Sequence, residues 1–399
     1  MDNILAQGEL IGEQIAGWRR NLHQIPERDL NLPLTRSYVC HALDELGIKY
    51  SLSDAHSGIV ALVRGAMMPA DAKTVALRAD MDALPIRERA DVPYASKNGA
   101  MHACGHDAHM AMLLGAAKLL MQNRDRLFGQ VKLIFQPGEE LSGGALRMVE
   151  EGALHDPDVD VVFGQHAGLM SSELPGGHFG FYPGAFMASR DSFVITVHGK
   201  SCHGAQPASG VDPVVIAAQI VMALQTLISR EISGTDTAVL TIGAIHGGET
   251  YNIIPETVQM RGAIRCLDES QRQYLKDRIR QVCHGICETM RAACTIEYED
   301  GFPVTVNDPD ATRFAMDCAK RLLGEARVHR LRKPLMTSED MAIFLSRRPG
   351  SYWIFSTPPE KLKPYPNHSP YFTIDDTILY QGAALLAEVT LEWLAQNRS

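Results

Sequence analysis

The chain has 399 residues, 45% of them hydrophobic and 21% charged, which is room for two or three domains with a sizeable core. Its net charge of −9, without a long basic run, disfavours nucleic acid and anionic membranes as partners. The opening "MDNILAQGELIGEQIAGWRR" has acidic residues where a secretory leader needs a positive region, and no stretch approaches the about 20 continuous apolar residues of a membrane span, so a cytoplasmic protein is expected. Eight cysteines, Cys40, Cys104, Cys202, Cys266, Cys283, Cys287, Cys294 and Cys318, are scattered without a secreted framework and read as reduced, buried residues, with Cys104 as the candidate exception.

In chain order, "TVALRAD" (74–80) reads as a strand, 107 to about 123 as a helix, "QVKLIFQ" (130–136) as a strand, "GALRMVEEGAL" as a helix and "VDVVFGQ" (159–165) as a strand. Near-continuous apolar strands between helices are the pattern of a parallel sheet covered on both faces. Ligands of such sheets bind beyond the carboxyl ends of the strands. The residues standing there are Asp80 and Asp82, Glu139 and Glu140, and His166, all of metal-ligand or acid/base type. A fourth apolar run, 351–357, leads through a proline-stiffened loop toward His368, and such a loop can carry a residue back over a site.

From 187 to 300 the pattern changes to strand, long amphipathic helix from Asp212-Pro213, two strands, second helix and last strand. That β-α-β-β-α-β order is the signature of a ferredoxin-like domain, here inserted between 1–186 and 301–399, which together form the α/β part.

The segment "MHACGHDAHM" (101–110) places Cys104 and His106 close enough to bind one ion or a closely spaced pair. Joined by Glu140, His166 and His368, they form a mixed sulfur, nitrogen and oxygen set suited to Zn²⁺ or a related transition ion. The adjacent carboxylates of Glu139 and Glu140 can divide the work, one binding metal and the other acting as general base.

Taken in order, "RRNLHQIPE", "RADMDALPI", "MHACGHDAHMAMLLGAA", "FQPGEE", "YNIIPETVQMRGAIR" and "TSEDM" resemble the metal-dependent amidohydrolase and carboxypeptidase family, which includes hippurate hydrolases, N-acyl-amino-acid deacetylases and plant indole-acetyl-amino-acid hydrolases. The resemblance runs from about Arg19 to the final helix. It implies a zinc-peptidase-like catalytic domain with a mostly parallel central sheet, interrupted by a ferredoxin-like α+β lid that commonly dimerises. It further implies Cys104, His106, Glu140, His166 and His368 as metal ligands, with Cys104 able to bridge two ions, Glu139 as general base, and Asp82 as an acid supporting a ligand. Asp80 stands where dinuclear relatives have a ligand histidine and is left out of the ligand set; His102 and His109 are read as structural neighbours. In the lid, His203 takes the place of a histidine expected to reach the partner subunit's active site and stabilise the oxyanion, while Asn252 and Arg265 match positions near the substrate carboxylate.

Departures from the family pattern are Cys202 for a glycine, Ala208 for a histidine, Asn31 and Leu32 for acidic residues, and "AGLMSSELPGG" after His166. They bear on substrate preference and leave metal and base intact. The expected activity is hydrolysis of the amide bond of N-acyl amino acids or related dipeptide-like amides by a homodimer. Zn²⁺ or Mn²⁺ is expected, with Co²⁺ or Ni²⁺ also suited, at one or two ions per subunit. Two alternatives remain open from sequence: a hydrolase using Cys104 as nucleophile with His106 or His109 as base, and a metal-binding protein of this fold without turnover.

Overall fold

The structure, a computed structural model, describes residues 3–66, 68 and 71–398. The chain divides into two compact units: one runs to Gly184 and resumes at Val306–Lys333 and from Asp340 onward, and the other is Ala185–Thr305 with Pro334–Glu339.

The first unit is built on an eight-stranded sheet in the order Lys49–Leu52, Ile59–Arg64, Gln130–Gln136, Thr74–Asp80, Val161–Gly168, Gly350–Ser356, Phe179–Phe181, Val328–Arg330. The four central strands run parallel. Antiparallel pairings flank them, through Ile59–Arg64 on one side and Phe179–Phe181 on the other. Every residue of the central strands is buried, which explains their unbroken apolar reading. Alternate residues Val131, Leu133 and Phe135 join the core under helices His106–Gln122 and Leu379–Gln396. On the opposite face Lys132 buries its stem and donates its ammonium hydrogens to the carbonyls of Ala153 and His155.

Parallel strands all end on one side, and there the chain turns into the helices. The sharpest of these turns precedes His106–Gln122: Gly105 has φ +89°, a conformation that favours glycine, so the helix starts one residue later with His106 at its first position. A buried ion network fixes that end. Arg19, on helix Gly12–His23, has its Nε 2.7 Å from Asp107, with both side chains wholly buried. His23 Nδ1 lies 2.7 Å from the same carboxylate and its Nε2 3.0 Å from Glu88, while Arg20 makes two 2.7 Å bonds to Asp376.

The second unit shows the order Asp191–His198, helix Pro213–Thr226, Ala238–His246, Thr257–Cys266, helix Glu269–Thr289, Ala293–Asp300. Its sheet, ordered Ala238–His246, Thr257–Cys266, Asp191–His198, Ala293–Asp300, is antiparallel throughout, as in a ferredoxin-like fold. Both helices begin at aspartate caps: Asp212 accepts from Val214 N, and Asp268 from Gln271 N. The first helix widens into a π turn at Leu227–Glu231. By length and composition Pro213–Glu231 would suffice to cross a membrane. Its Ile216, Ala217, Ile220 and Leu224 pack in this unit's core, whereas Val214, Val215 and Met222 are exposed.

Burial alone would raise the Asp107 pKa, but Arg19 and then His23 outweigh it and hold the carboxyl well below the usual carboxylate range. The folded pKa is thus below the unfolded one, so this contribution is present above the unfolded value of about 3.9 and is lost as pH falls below it. Asp107→Asn, which strands the buried Arg19, is expected to cost about 3–5 kcal/mol at neutral pH in denaturant unfolding, with a smaller difference from wild type in acid.

Candidate metal centre

The strand ends bring four of the expected ligands to one pocket of the first unit, and the loop after Gly350–Ser356 brings the fifth. Cys104 Sγ lies 3.5 Å from His166 Nε2 and 3.3 Å from His368 Nε2. Glu140 Oε1 is 3.3 Å from His368 Nε2 and 3.9 Å from His106 Nε2. Cys104, His106 and His166 present donor atoms within 4.8 Å of one another, as do Cys104, Glu140 and His368, so the thiol is common to two donor sets. His106, Glu139 and Glu140 form a further set.

The imidazoles are oriented from behind. His106 Nδ1 faces the Asp82 carbonyl at 2.8 Å, and His166 Nδ1 the Ala167 carbonyl at 2.8 Å. A carbonyl can only accept, so each Nδ1 carries a hydrogen and each ring is held with its Nε2 facing the pocket. His106 Nε2 is buried there and makes no hydrogen bond. A buried nitrogen of this kind beside a thiol and carboxylates fits a divalent transition ion.

Asp82 acts on two of the expected ligands at once, but differently from a simple carboxylate–histidine pair. Its backbone carbonyl holds His106, while its carboxylate accepts from Glu139 N at 2.9 Å and from Glu140 N at 3.1 Å. The Glu139-Glu140 turn is therefore hung from Asp82. His109 is committed elsewhere: its Nδ1 is 2.5 Å from Asp80 and its Nε2 accepts from Ala167 N at 2.7 Å. His102 is buried without a hydrogen bond at either ring nitrogen, and burial pushes its pKa down to about 3, which keeps the ring neutral.

Electrostatics mark the pocket as a place for a cation. Burial and then the Glu140 charge push the Cys104 thiol up, while hydrogen bonds to Cys104 and Glu140 push His368 up to about 10. Burial drives His166 well below its ordinary value. A thiol that resists ionisation beside a carboxylate held ionised by His368 and a proton-retaining imidazole is what remains when the positive charge joining them is only a proton.

Residues without a role in the sequence reading complete the frame. Arg78, inside the apolar strand Thr74–Asp80, spans Asp80 at 2.9 Å, Asp340 at 2.6 Å and Gln136 at 2.8 Å. Asp340 also accepts from Gln136 at 2.6 Å. An arginine in an otherwise apolar buried strand was the available signal, since such a charge must be paired. Asn367, next to His368, donates to the Cys104 carbonyl at 3.1 Å and has no comparable signal in the sequence.

The remaining site residues lie in the second unit. His203 is exposed on the short strand Cys202–His203, paired in register with Ile253, and Gly204 N donates to the Asn252 carbonyl at 2.7 Å. His203 and Asn252 are thus neighbours. Arg265 sits on Thr257–Cys266, partly buried, and donates to the Met336 carbonyl at 3.4 Å.

The parallel-sheet fold and its pocket of thiol, imidazole and carboxylate donors define a metal-dependent amidohydrolase. Comparison with known proteins agrees: the pattern of peptidase family M20/M25/M40 matches residues 76–392, and the chain belongs to that family. It is 41% identical over 388 residues to a thermostable carboxypeptidase of Saccharolobus solfataricus, covering 94% of this chain and 96% of that one. It is 37% identical over 387 residues to an N-acetyl-L-cysteine deacetylase of Bacillus subtilis, covering 96% and 89%. Among solved structures, a dinuclear metal-binding peptidase of the M20 family from Bacillus subtilis superposes with a TM-score of 0.81 at 32% identity, covering 97% of this chain and 99% of that one.

Asp82→Ala removes the acceptor that holds the Glu139-Glu140 turn. Metal affinity, measured by chelator competition, is expected to fall by about 10- to 100-fold, with a loss of about 1–3 kcal/mol in stability from the N–H groups left without an acceptor.

Proposed function

We propose that the protein hydrolyses the amide bond of N-acyl amino acids or related small peptide-like amides, with Glu139 as general base and Cys104, His106, Glu140, His166 and His368 holding one or two divalent ions. The observation that carries this reading is the adjacent pair Glu139-Glu140, the first buried and the second partly buried. Both carboxylates lie in one turn, within donor distance of His106, while only Glu140 also shares a set with Cys104 and His368. That division leaves Glu139 to handle protons. Cys104 belongs to two donor sets, which supports two ions sharing the thiolate. Zn²⁺ suits the sulfur and Mn²⁺ the carboxylate and imidazole, with Co²⁺ or Ni²⁺ as substitutes.

A bound ion supplies Lewis acidity, polarising the substrate carbonyl and lowering the pKa of a water to about 7. Glu139 takes the proton of the attacking water and delivers it to the nitrogen of the leaving amine. His203 is suited to the oxyanion: its Nδ1 accepts from Ala205 N at 3.0 Å, so the neutral ring offers Nε2–H outward as a donor. Asn252 and Arg265 bind the substrate carboxylate in this reading, the guanidinium bidentately. The named activities of the deacetylase and carboxypeptidase relatives support an amide between an acyl group and an amino acid.

The inserted unit is proposed to form the homodimer and to bring His203 to the partner subunit's site. The exposed Val214, Val215 and Met222 of its first helix and the edge position of Ala238–His246 support this. All eight cysteines are free thiols, which suits a cytoplasmic location.

Cys104 is poorly suited to the alternative role of nucleophile, because burial and Glu140 hold its thiol in the protonated form. A receptor without turnover needs ligands but has no use for Glu139. Glu139→Gln is expected to lower turnover of an N-acetyl amino acid by about 100- to 10,000-fold with bound metal unchanged. Turnover retained in that variant would count against the mechanism.

A further inference from the structure

Asn367 precedes His368 in the loop that returns over the pocket, and its amide touches the segments that carry Cys104 and His166. Leu169 N donates to its Oδ1 at 3.0 Å, just beyond the strand that carries His166. A backbone N–H can be accepted only by the amide oxygen, which fixes the flip and turns Nδ2 toward Cys104. There Nδ2 lies 3.1 Å from the Cys104 carbonyl, 3.5 Å from the Ala167 carbonyl and 3.8 Å from Cys104 Sγ. One residue later, His368 N donates to the Ala103 carbonyl at 2.7 Å, and His368 holds φ at 68°, so the loop is pinned on both sides of the Cα that carries the imidazole. The fit to the strand end is close. Gly168 has φ +122°, and a Cβ there would come within 2.5 Å of the Asn367 Oδ1.

We propose that Asn367 is a positioning residue for the metal site: its amide N–H bonds the Cys104 thiolate from outside, and its oxygen fixes the His368 loop to the end of Val161–Gly168. An N–H···S bond stabilises the sulfur lone pairs and tempers their donation, as hydrogen bonds around other metal-bound cysteines do. The same amide keeps Cys104 and His368, which share one donor set, at a constant separation. This inference rests on the reading of Cys104 and His368 as ligands.

The test uses the full-length protein stripped of metal and titrated with Co²⁺ alone, following the sulfur-to-cobalt charge-transfer band and the dissociation constant by chelator competition. Asn367→Asp has nearly the same shape and keeps an acceptor for Leu169 N, but loses the N–H toward Cys104. Gly168→Ala leaves Asn367 intact and pushes its amide aside. Both variants are expected to weaken Co²⁺ binding by about 10- to 100-fold and to move the band to longer wavelength, because sulfur lone pairs without the hydrogen bond lie higher in energy. Unchanged affinity and an unmoved band in Asn367→Asp would overturn the proposal. Weaker binding with an unmoved band would overturn it as well, since only the loop anchor would then have been lost. A wild-type protein with no sulfur-to-cobalt band at all would overturn the assignment of Cys104 as a ligand, whereas a wild-type band that neither variant shifts overturns the role of Asn367 alone.

Discussion

Cys104 Sγ sits between His166 Nε2 at 3.5 Å and His368 Nε2 at 3.3 Å, and most of what surrounds it keeps those contacts in place. A thiol, a carboxylate and three imidazoles brought this close repel or neutralise one another unless a cation joins them. The parallel sheet resolves the positional half of the problem by ending its central strands together. Hydrogen bonds from behind resolve the orientational half, with the Asp82 and Ala167 carbonyls fixing two ring tautomers.

Order spreads outward from that centre. The Asp82 carboxylate suspends the Glu139-Glu140 turn, and Arg78 ties Asp80 to Asp340 and Gln136 across the neighbouring strands. Further out, the Arg19–Asp107 pair locks helix Gly12–His23 to the first turn of His106–Gln122. Each layer fixes the rotamers of the one inside it, so the pocket is built on rigid elements except where the His368 loop closes it. That loop depends on Asn367 and on the His368 N–H bond to Ala103 instead of on a strand.

Much of this was legible in the amino-acid sequence because the two signals involved are local. Continuous apolar runs such as 74–80 and 130–136 become buried parallel strands, with small boundary shifts: the strand read at 159–165 is Val161–Gly168, so His166 lies within it and not after it. The ligand-type residues cluster at those boundaries. What stayed hidden depends on partners distant in sequence. Helices Ile4–Leu10, Gly12–His23 and Pro33–Glu45 carry weak patterns of their own and are held by packing against His106–Gln122 and Leu379–Gln396. Arg19 has no assigned partner in the sequence, and its pairing with Asp107 shows only in the fold. The Asp82 carboxylate spends itself on backbone N–H groups 57 and 58 residues away, a relation no spacing rule encodes. Asn367, similarly, looks like a loop residue beside a ligand-type histidine.

The central claim is that amide hydrolysis depends on an ion held by Cys104 and its neighbours. The direct measurement is elemental analysis of protein purified without added metal, with turnover of N-acyl amino acids followed through complete chelation and re-addition. The account predicts bound transition metal, activity that disappears with it and activity that returns in proportion to the ion restored. Turnover that survives complete removal of metal would contradict the account.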